Sequence, residues 1–137
     1  MTRSIFVNLP VRDLERSKAF FVALGFRINP QFTGDTAACV VIADRIYAML
    51  LVAAHFSQFT PRAIADATTS TEVLVALSCA SADEVKAMCA TAFANGGRQI
   101  REPQDLGFMF QWAFEDPDGH IWELVWMDPA HIQSVPT

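Results

Sequence analysis

Basic runs are missing from this chain. Its ten Lys and Arg are scattered, fifteen Asp and Glu outnumber them, and the 137 residues carry a net charge of −5 at pH 7, with an isoelectric point near 5.0. Binding a phosphate backbone needs a positive face, which argues against a nucleic-acid partner. Long apolar runs are missing too. The N-terminal stretch is too short for a signal peptide's apolar region and is broken by Asn8 and Pro10, and nothing reaches the roughly 20 apolar residues of a membrane span. Cysteine is scarce: Cys39, Cys79 and Cys89 lack metal-type spacing and cannot all pair, so they read as buried thiols of a reducing compartment. A soluble, cytoplasmic protein without a membrane partner is the expectation. Tyrosine is almost absent, one residue against eleven Phe, so any pocket is aromatic without hydroxyls.

What is present suits a single ordered domain, with 52% hydrophobic and 18% charged residues. The chain repeats itself. Ile5 to Phe21 and Val73 to Cys89 share one outline, an apolar strand ending at a polar cap and followed by an amphipathic helix. Asp13 caps the first helix; Ser81 caps the second, with Glu84 at capping-box spacing. Leu14, Phe21 and Leu24 share a side of helix one, and Val85, Met88 and Ala92 a side of helix two; Gly25 and Gly96-Gly97 stop them. Strand-like runs follow: Arg27 to Phe32, Thr36 to Ile42 and Ile46 to Val52, then Gln99 to Glu102, Phe108 to Phe114 and His120 to Trp126, with Asp116-Pro117-Asp118-Gly119 as a turn. Each half reads βαβββ. Module one covers about 4–54 and module two about 72–127, joined by a linker over 55–71 and trailed by a loose tail at 128–137. Thr60-Pro61 predicts a short helix around Pro61 to Asp66, and Phe56 and Phe59 tuck onto a neighbouring surface.

VNLPVRDLERSKAFFVALGF, the paired outline and EDPDGHIWEL together resemble the vicinal oxygen chelate superfamily of glyoxalase, bleomycin-resistance and extradiol dioxygenase proteins. Within it the chain looks most like bacterial predicted lactoylglutathione lyases. The resemblance covers residues 4 to about 127. It implies an α+β fold in which two βαβββ modules form a cupped mixed β-sheet with helices on the outer face. It also implies a homodimer, since relatives commonly pair. It does not imply one reaction, because sites are grafted on folds.

In metal-dependent relatives the ligands face the cup from the first and last strands of each module. The repeat places Phe6 and Leu74 in the first-strand slots, and Ala48 and Glu123 in the last-strand slots. A divalent ion needs several oxygen or nitrogen donors, and Phe, Leu and Ala supply none. No metal site and no cofactor are therefore expected. A divalent metal completed by Asn8, or by a histidine of a second chain, is the minor alternative.

Glu123 is the candidate catalytic residue, with Phe6, Asn8, Ala48 and Leu74 as substrate-binding residues around it. In an apolar lining its charged form is poorly solvated, so it is poised to take a proton next to a carbonyl. The alternative is a relict ligand paired with Arg98 or Arg101. Asn8 either orients a substrate oxygen or satisfies backbone groups. His120 reads as a solvated hairpin residue rather than an acid–base group. Strand alternation sends Tyr47 and Trp122 toward the helices and separates Phe108, Phe110 and Trp112 from Met109 and Gln111, without saying which set faces the cup. Turn chemistry accounts for Asp116, Asp118 and Gly119.

Three functions stay open. One is a glyoxalase-like lyase or isomerase acting on a small carbonyl compound or thiol adduct. Another is a metal-free protein that sequesters a small molecule. The third is an interaction subunit without chemistry.

Overall fold

A computed structural model describes residues 1–131; of the tail expected at 128–137, residues 132–137 lie outside the described residues. Two four-stranded mixed sheets carry the fold. In the first module β1 (Ile5–Val11), α1 (Leu14–Ala23), β2 (Arg27–Asn29), β3 (Ala37–Ala43) and β4 (Ile46–Val52) follow in sequence. The second runs β5 (Leu74–Ser78), α3 (Ala82–Ala94), β6 (Gln104–Asp105), β7 (Met109–Glu115) and β8 (Ile121–Met127), after a one-turn α2 (Ala53–Phe56) between the modules. The strand orders are β1-β4-β3-β2 and β5-β8-β7-β6. In both, the outer strand pairs parallel with the last one, because a helical crossover separates them. No helix among the described residues is long and apolar enough to cross a membrane.

Local chemistry sets the helix ends as the caps foretell. The Asp13 carboxylate accepts from Arg16 N, and the Ser81 hydroxyl accepts from Glu84 N. The Glu84 carboxylate returns to Ala80 N rather than to the cap residue itself. Gly25 and Gly96 then turn the chain at positive φ, a region that costs a side chain about 1–2 kcal/mol.

Both helices pack against one continuous core. Phe20 and Phe21 of α1 reach across to module two, Phe20 lying 5.7 Å from Phe114 and Phe21 5.3 Å from Trp122 by ring centroids. All four are essentially fully buried, and burial of a side chain of this kind contributes about 1.5–3 kcal/mol. The modules share their apolar interior through α1.

Three predicted elements differ. β2 ends at Asn29, and Pro30–Phe32 form a 3-10 turn capped by the Asn29 side chain on Gln31 N, since a proline nitrogen gives a sheet nothing. The linker helix lies at Ala53–Phe56, followed by a 3-10 turn at Ser57–Phe59. Thr60 does cap Arg62 N, but no helix follows and the chain is irregular as far as the turn at Ala67. The strand placed at Gln99 to Glu102 is instead a bridge at Arg98 to Glu115 and the two residues Gln104–Asp105; Pro103 between them interrupts the ladder. Phe59 does not tuck in: it stays 72% exposed and stacks on His55.

Candidate functional site

Register decides which side chains leave the core. In module one Phe6 lies beside Tyr47, and Val7 beside Ala48. Ala48 is 1% exposed and belongs to the core cluster, with Val7 packed against that cluster. Ala48 therefore faces the helix and cannot line a pocket on the other side. Tyr47, expected to face the helices, instead stacks on Phe6 at 4.8 Å with rings 13° apart. In module two Leu74 lies beside Ile121 and Ala76 beside Glu123. By the caps Asp13 and Ser81, Phe6 corresponds to Leu74, so Tyr47 corresponds to Ile121 and Met49 to Glu123. The slot assigned to Ala48 belongs to Met49, one residue on, and a shift of one in a strand exchanges the faces.

The uncovered faces are thus Phe6, Asn8, Tyr47 and Met49 on sheet one, and Leu74, Ala76, Ile121, Glu123 and Val125 on sheet two. Pairing with β8 places Met109, Gln111 and Ala113 of β7 on the Glu123 face, while Phe110 and Phe114 are buried in the core and Trp112 meets Phe93 of α3 edge-on. β1 and β5 are edge strands of different sheets. Phe6 and Leu74 stand on these edges, each 53% exposed.

Glu123 is not a free carboxylate. Arg101 Nη2 donates to its Oε2 at 2.8 Å, with the Glu123 side chain 22% exposed and Arg101 41%. Arg101 is held from behind, its carbonyl accepting from Trp112 Nε1 of β7 at 2.8 Å. The divalent metal of the proteins this sequence resembles does not fit these residues. Phe6, Leu74 and Met49 offer no hard donor, Glu123 is engaged, and among the described residues no three His, Cys, Asp or Glu side chains converge.

Between the modules lies a second feature. A cavity of about 410 Å³ is walled by Asn8 and Pro10 of β1, Val73 and Val75, His120 and Ile121, and is roofed by the linker from Phe56 to Glu72. A smaller one of about 270 Å³ lies on the other side of Ile64, between Arg12, Asp66, Asp118 and His120. His120 is half-buried rather than solvated, because its Nε2–H donates to Pro10 O at 2.7 Å.

The turn before His120 does more than reverse the chain. Asp118, 5% exposed, accepts from Arg12 N at 2.9 Å and from Ser17 Oγ at 3.0 Å, with Arg16 Nη2 at 3.5 Å. Asp116 accepts from Asp118 N, His120 N and Trp122 Nε1; burial raises its carboxyl above the ordinary value, against the pull of His120 and these hydrogen bonds. Sequence reasoning missed this link. Its one signal was Ser17, a hydroxyl set within the apolar stripe of α1.

Comparison with known proteins agrees with this architecture. Residues 3–43 match the family model described as bleomycin resistance protein-like N-terminal. The structure of hypothetical protein SA1046 from S. aureus is 30% identical over 92% of this chain and 95% of that one, with a TM-score of 0.77. A glyoxalase/bleomycin resistance protein/dioxygenase family enzyme from Burkholderia phytofirmans PsJN is 15% identical over 92% and 99%, TM-score 0.75. TnmS3, an antibiotic binding protein from Streptomyces sp. CB03234, is 22% identical over 93% and 97%, TM-score 0.62. No curated protein sequence matches. Two βαβββ sheets and these likenesses lead to one conclusion: the chain has the fold of the glyoxalase, bleomycin-resistance and dioxygenase structures, and its residues 3–43 match the bleomycin resistance protein-like N-terminal family.

Proposed function

We propose that this protein binds and sequesters a small, largely apolar molecule, in a cup assembled between two copies of the chain. The observation that carries this is the chemistry of the uncovered faces. Phe6, Tyr47, Met49, Leu74, Ile121 and Val125 supply apolar surface, and the one carboxylate among the expected slots is neutralised by Arg101. Such a lining suits binding by burial, with a few polar groups for orientation. The likeness to TnmS3, an antibiotic binding protein, supports the same reading.

A second copy enters the proposal because the outer edges of both sheets carry exposed apolar side chains. Ile5 and Phe6 on β1, and Val73 and Leu74 at β5, are each more than half exposed, on edges that no strand among the described residues pairs. Solvent-exposed apolar edges of this kind invite association. A two-fold arrangement that sets β1 of one copy against β5 of the other covers both edges twice. It also brings Phe6 and Met49 to face the partner's Leu74 and the partner's Glu123.

The lyase reading rests on Glu123 as base. The ion pair with Arg101 occupies one of its oxygens, and no group on the uncovered faces replaces the electrostatic stabilisation an enediolate requires. A thermal-shift screen with planar and cationic compounds tests the proposal. A ligand at 100 times its Kd adds about 2.7 kcal/mol of apparent stability, and Phe6→Glu abolishes that gain whereas Glu123→Gln retains it. Turnover of a hemithioacetal that disappears in Glu123→Gln decides for the lyase instead.

A further inference from the structure

Asn8 and His120 point to a cavity at the end of the cup, under the linker. Asn8 shares the Phe6 face of β1, yet it lines the 410 Å³ cavity under the linker, not the Glu123 face. Its carboxamide makes no side-chain hydrogen bond among the described residues, whereas the imidazole beside it is tied to Pro10 O. Around these two, the walls are Pro10, Phe56, Ile64, Val75 and Ile121. The size falls within the range of small-molecule sites, about 300–1,000 Å³, and is too small for a folded segment.

The roof is built differently from the walls. From Ala63 to Ala67 no backbone N–H finds an acceptor among the described residues. This strap is held at its far end. Asp66 takes Arg12 Nη2 at 3.2 Å and folds the next turn through Thr68 N and Thr68 Oγ1. Ala67 and Thr68 lie directly on Gly119, where a Cβ would stand 3.0 Å from their backbone atoms. Ile64 is the large apolar side chain the strap turns inward, and it touches both cavities. A segment fixed at one end, unpaired along its length and plugged by one aliphatic side chain can lift without breaking a sheet.

We propose that this strap closes a second small-molecule site, for a compact apolar compound carrying one neutral carbonyl or carboxamide edge. Asn8 reads that edge, since its amide supplies both a donor and an acceptor. The apolar body replaces the space beside Ile64. The site adjoins the cup through Asn8 and Ile121 but is distinct from its centre, because neither Phe6 nor Glu123 lines it.

The probe is naphthalene-2-carboxamide, titrated into 15N-labelled full-length protein and followed by amide shifts. Saturable shifts centred on Ala63 to Ala67 and Gly119 are expected. Ile64→Arg fills the cavity and abolishes them, and Ile64→Ser, which retains the fold if the larger change does not, weakens binding. Asn8→Leu keeps the apolar volume and lowers affinity about tenfold, the worth of a neutral hydrogen bond. Phe6→Glu, which disables the proposed cup, leaves this binding intact, so the two sites fail separately. Absence of saturable shifts at the strap, or equal affinity in Ile64→Arg, overturns the site; equal affinity in Asn8→Leu overturns the assigned ligand edge.

Discussion

At the scale of single residues the most consequential atom pair joins Asp118 to Ser17. It is buried, spans the two modules and is backed by Arg12 N. Removing the carboxylate leaves a buried hydroxyl and an amide without their acceptor, so Asp118→Ala is expected to cost about 2–3 kcal/mol in urea unfolding. Asp116 has a pH signature. Its native carboxyl sits above the ordinary 3.8 through burial, so the native state binds that proton more tightly than the unfolded chain does. Its contribution is therefore full below pH 3.8 and is lost as pH rises through the native value. Unfolding free energies of the parent and Asp116→Asn, taken from pH 3 upward, should show the parent losing ground to the variant as pH rises. The cysteines are inert by the same physics. Burial pushes Cys89 up to about 12 and, with Glu84 nearby, Cys79 to about 11. Iodoacetamide at pH 8 should label the native protein far more slowly than the unfolded one, read by mass spectrometry.

At the scale of elements, close approaches matter more than propensities. Gly119 combines a φ of +90° with contact against the linker backbone, so Gly119→Ala meets both strain and a clash. A loss of roughly 2 kcal/mol is expected, seen as a lowered urea midpoint with little change in far-ultraviolet dichroism. The cap of α3 makes a smaller contribution. Ser81→Ala removes the acceptor for Glu84 N and should cost about 1 kcal/mol.

For the whole molecule the open question is how the two sheets are completed. One chain presents β1 and β5 as unpaired edges with Phe6 and Leu74 half in solvent. If these edges meet in a two-fold dimer, sedimentation velocity finds the parent as a dimer. The double variant Phe6→Glu, Leu74→Glu then sediments as a folded monomer that has lost the cup ligand, because like charges are placed across the seam. A parent that stays monomeric at tens of micromolar sinks this assembly and the cup with it.

Local chemistry written into consecutive residues was readable directly. Asp13 and Ser81 as caps, Gly25 and Gly96 as stops, the DPDG turn and the two matching halves each depend on neighbours a few positions apart, so the sequence alone determined two βαβββ modules. The lone acid among apolar slots was equally legible, as was Arg101 as one of its two named partners. What only the tertiary structure decided was register and long-range contact. Ala48 and Met49 are both apolar and adjacent, and nothing in the spelling of β4 says which faces the helix; the pairing of Phe6 with Tyr47 does. The same holds for Pro61 to Asp66, where a sound helix start yields to a strap seated on Gly119, and for Asp118, whose partners are more than one hundred residues away. Caps and turns are settled within a few bonds, whereas a strand's face and a linker's course are settled by whatever surface the rest of the chain brings against them.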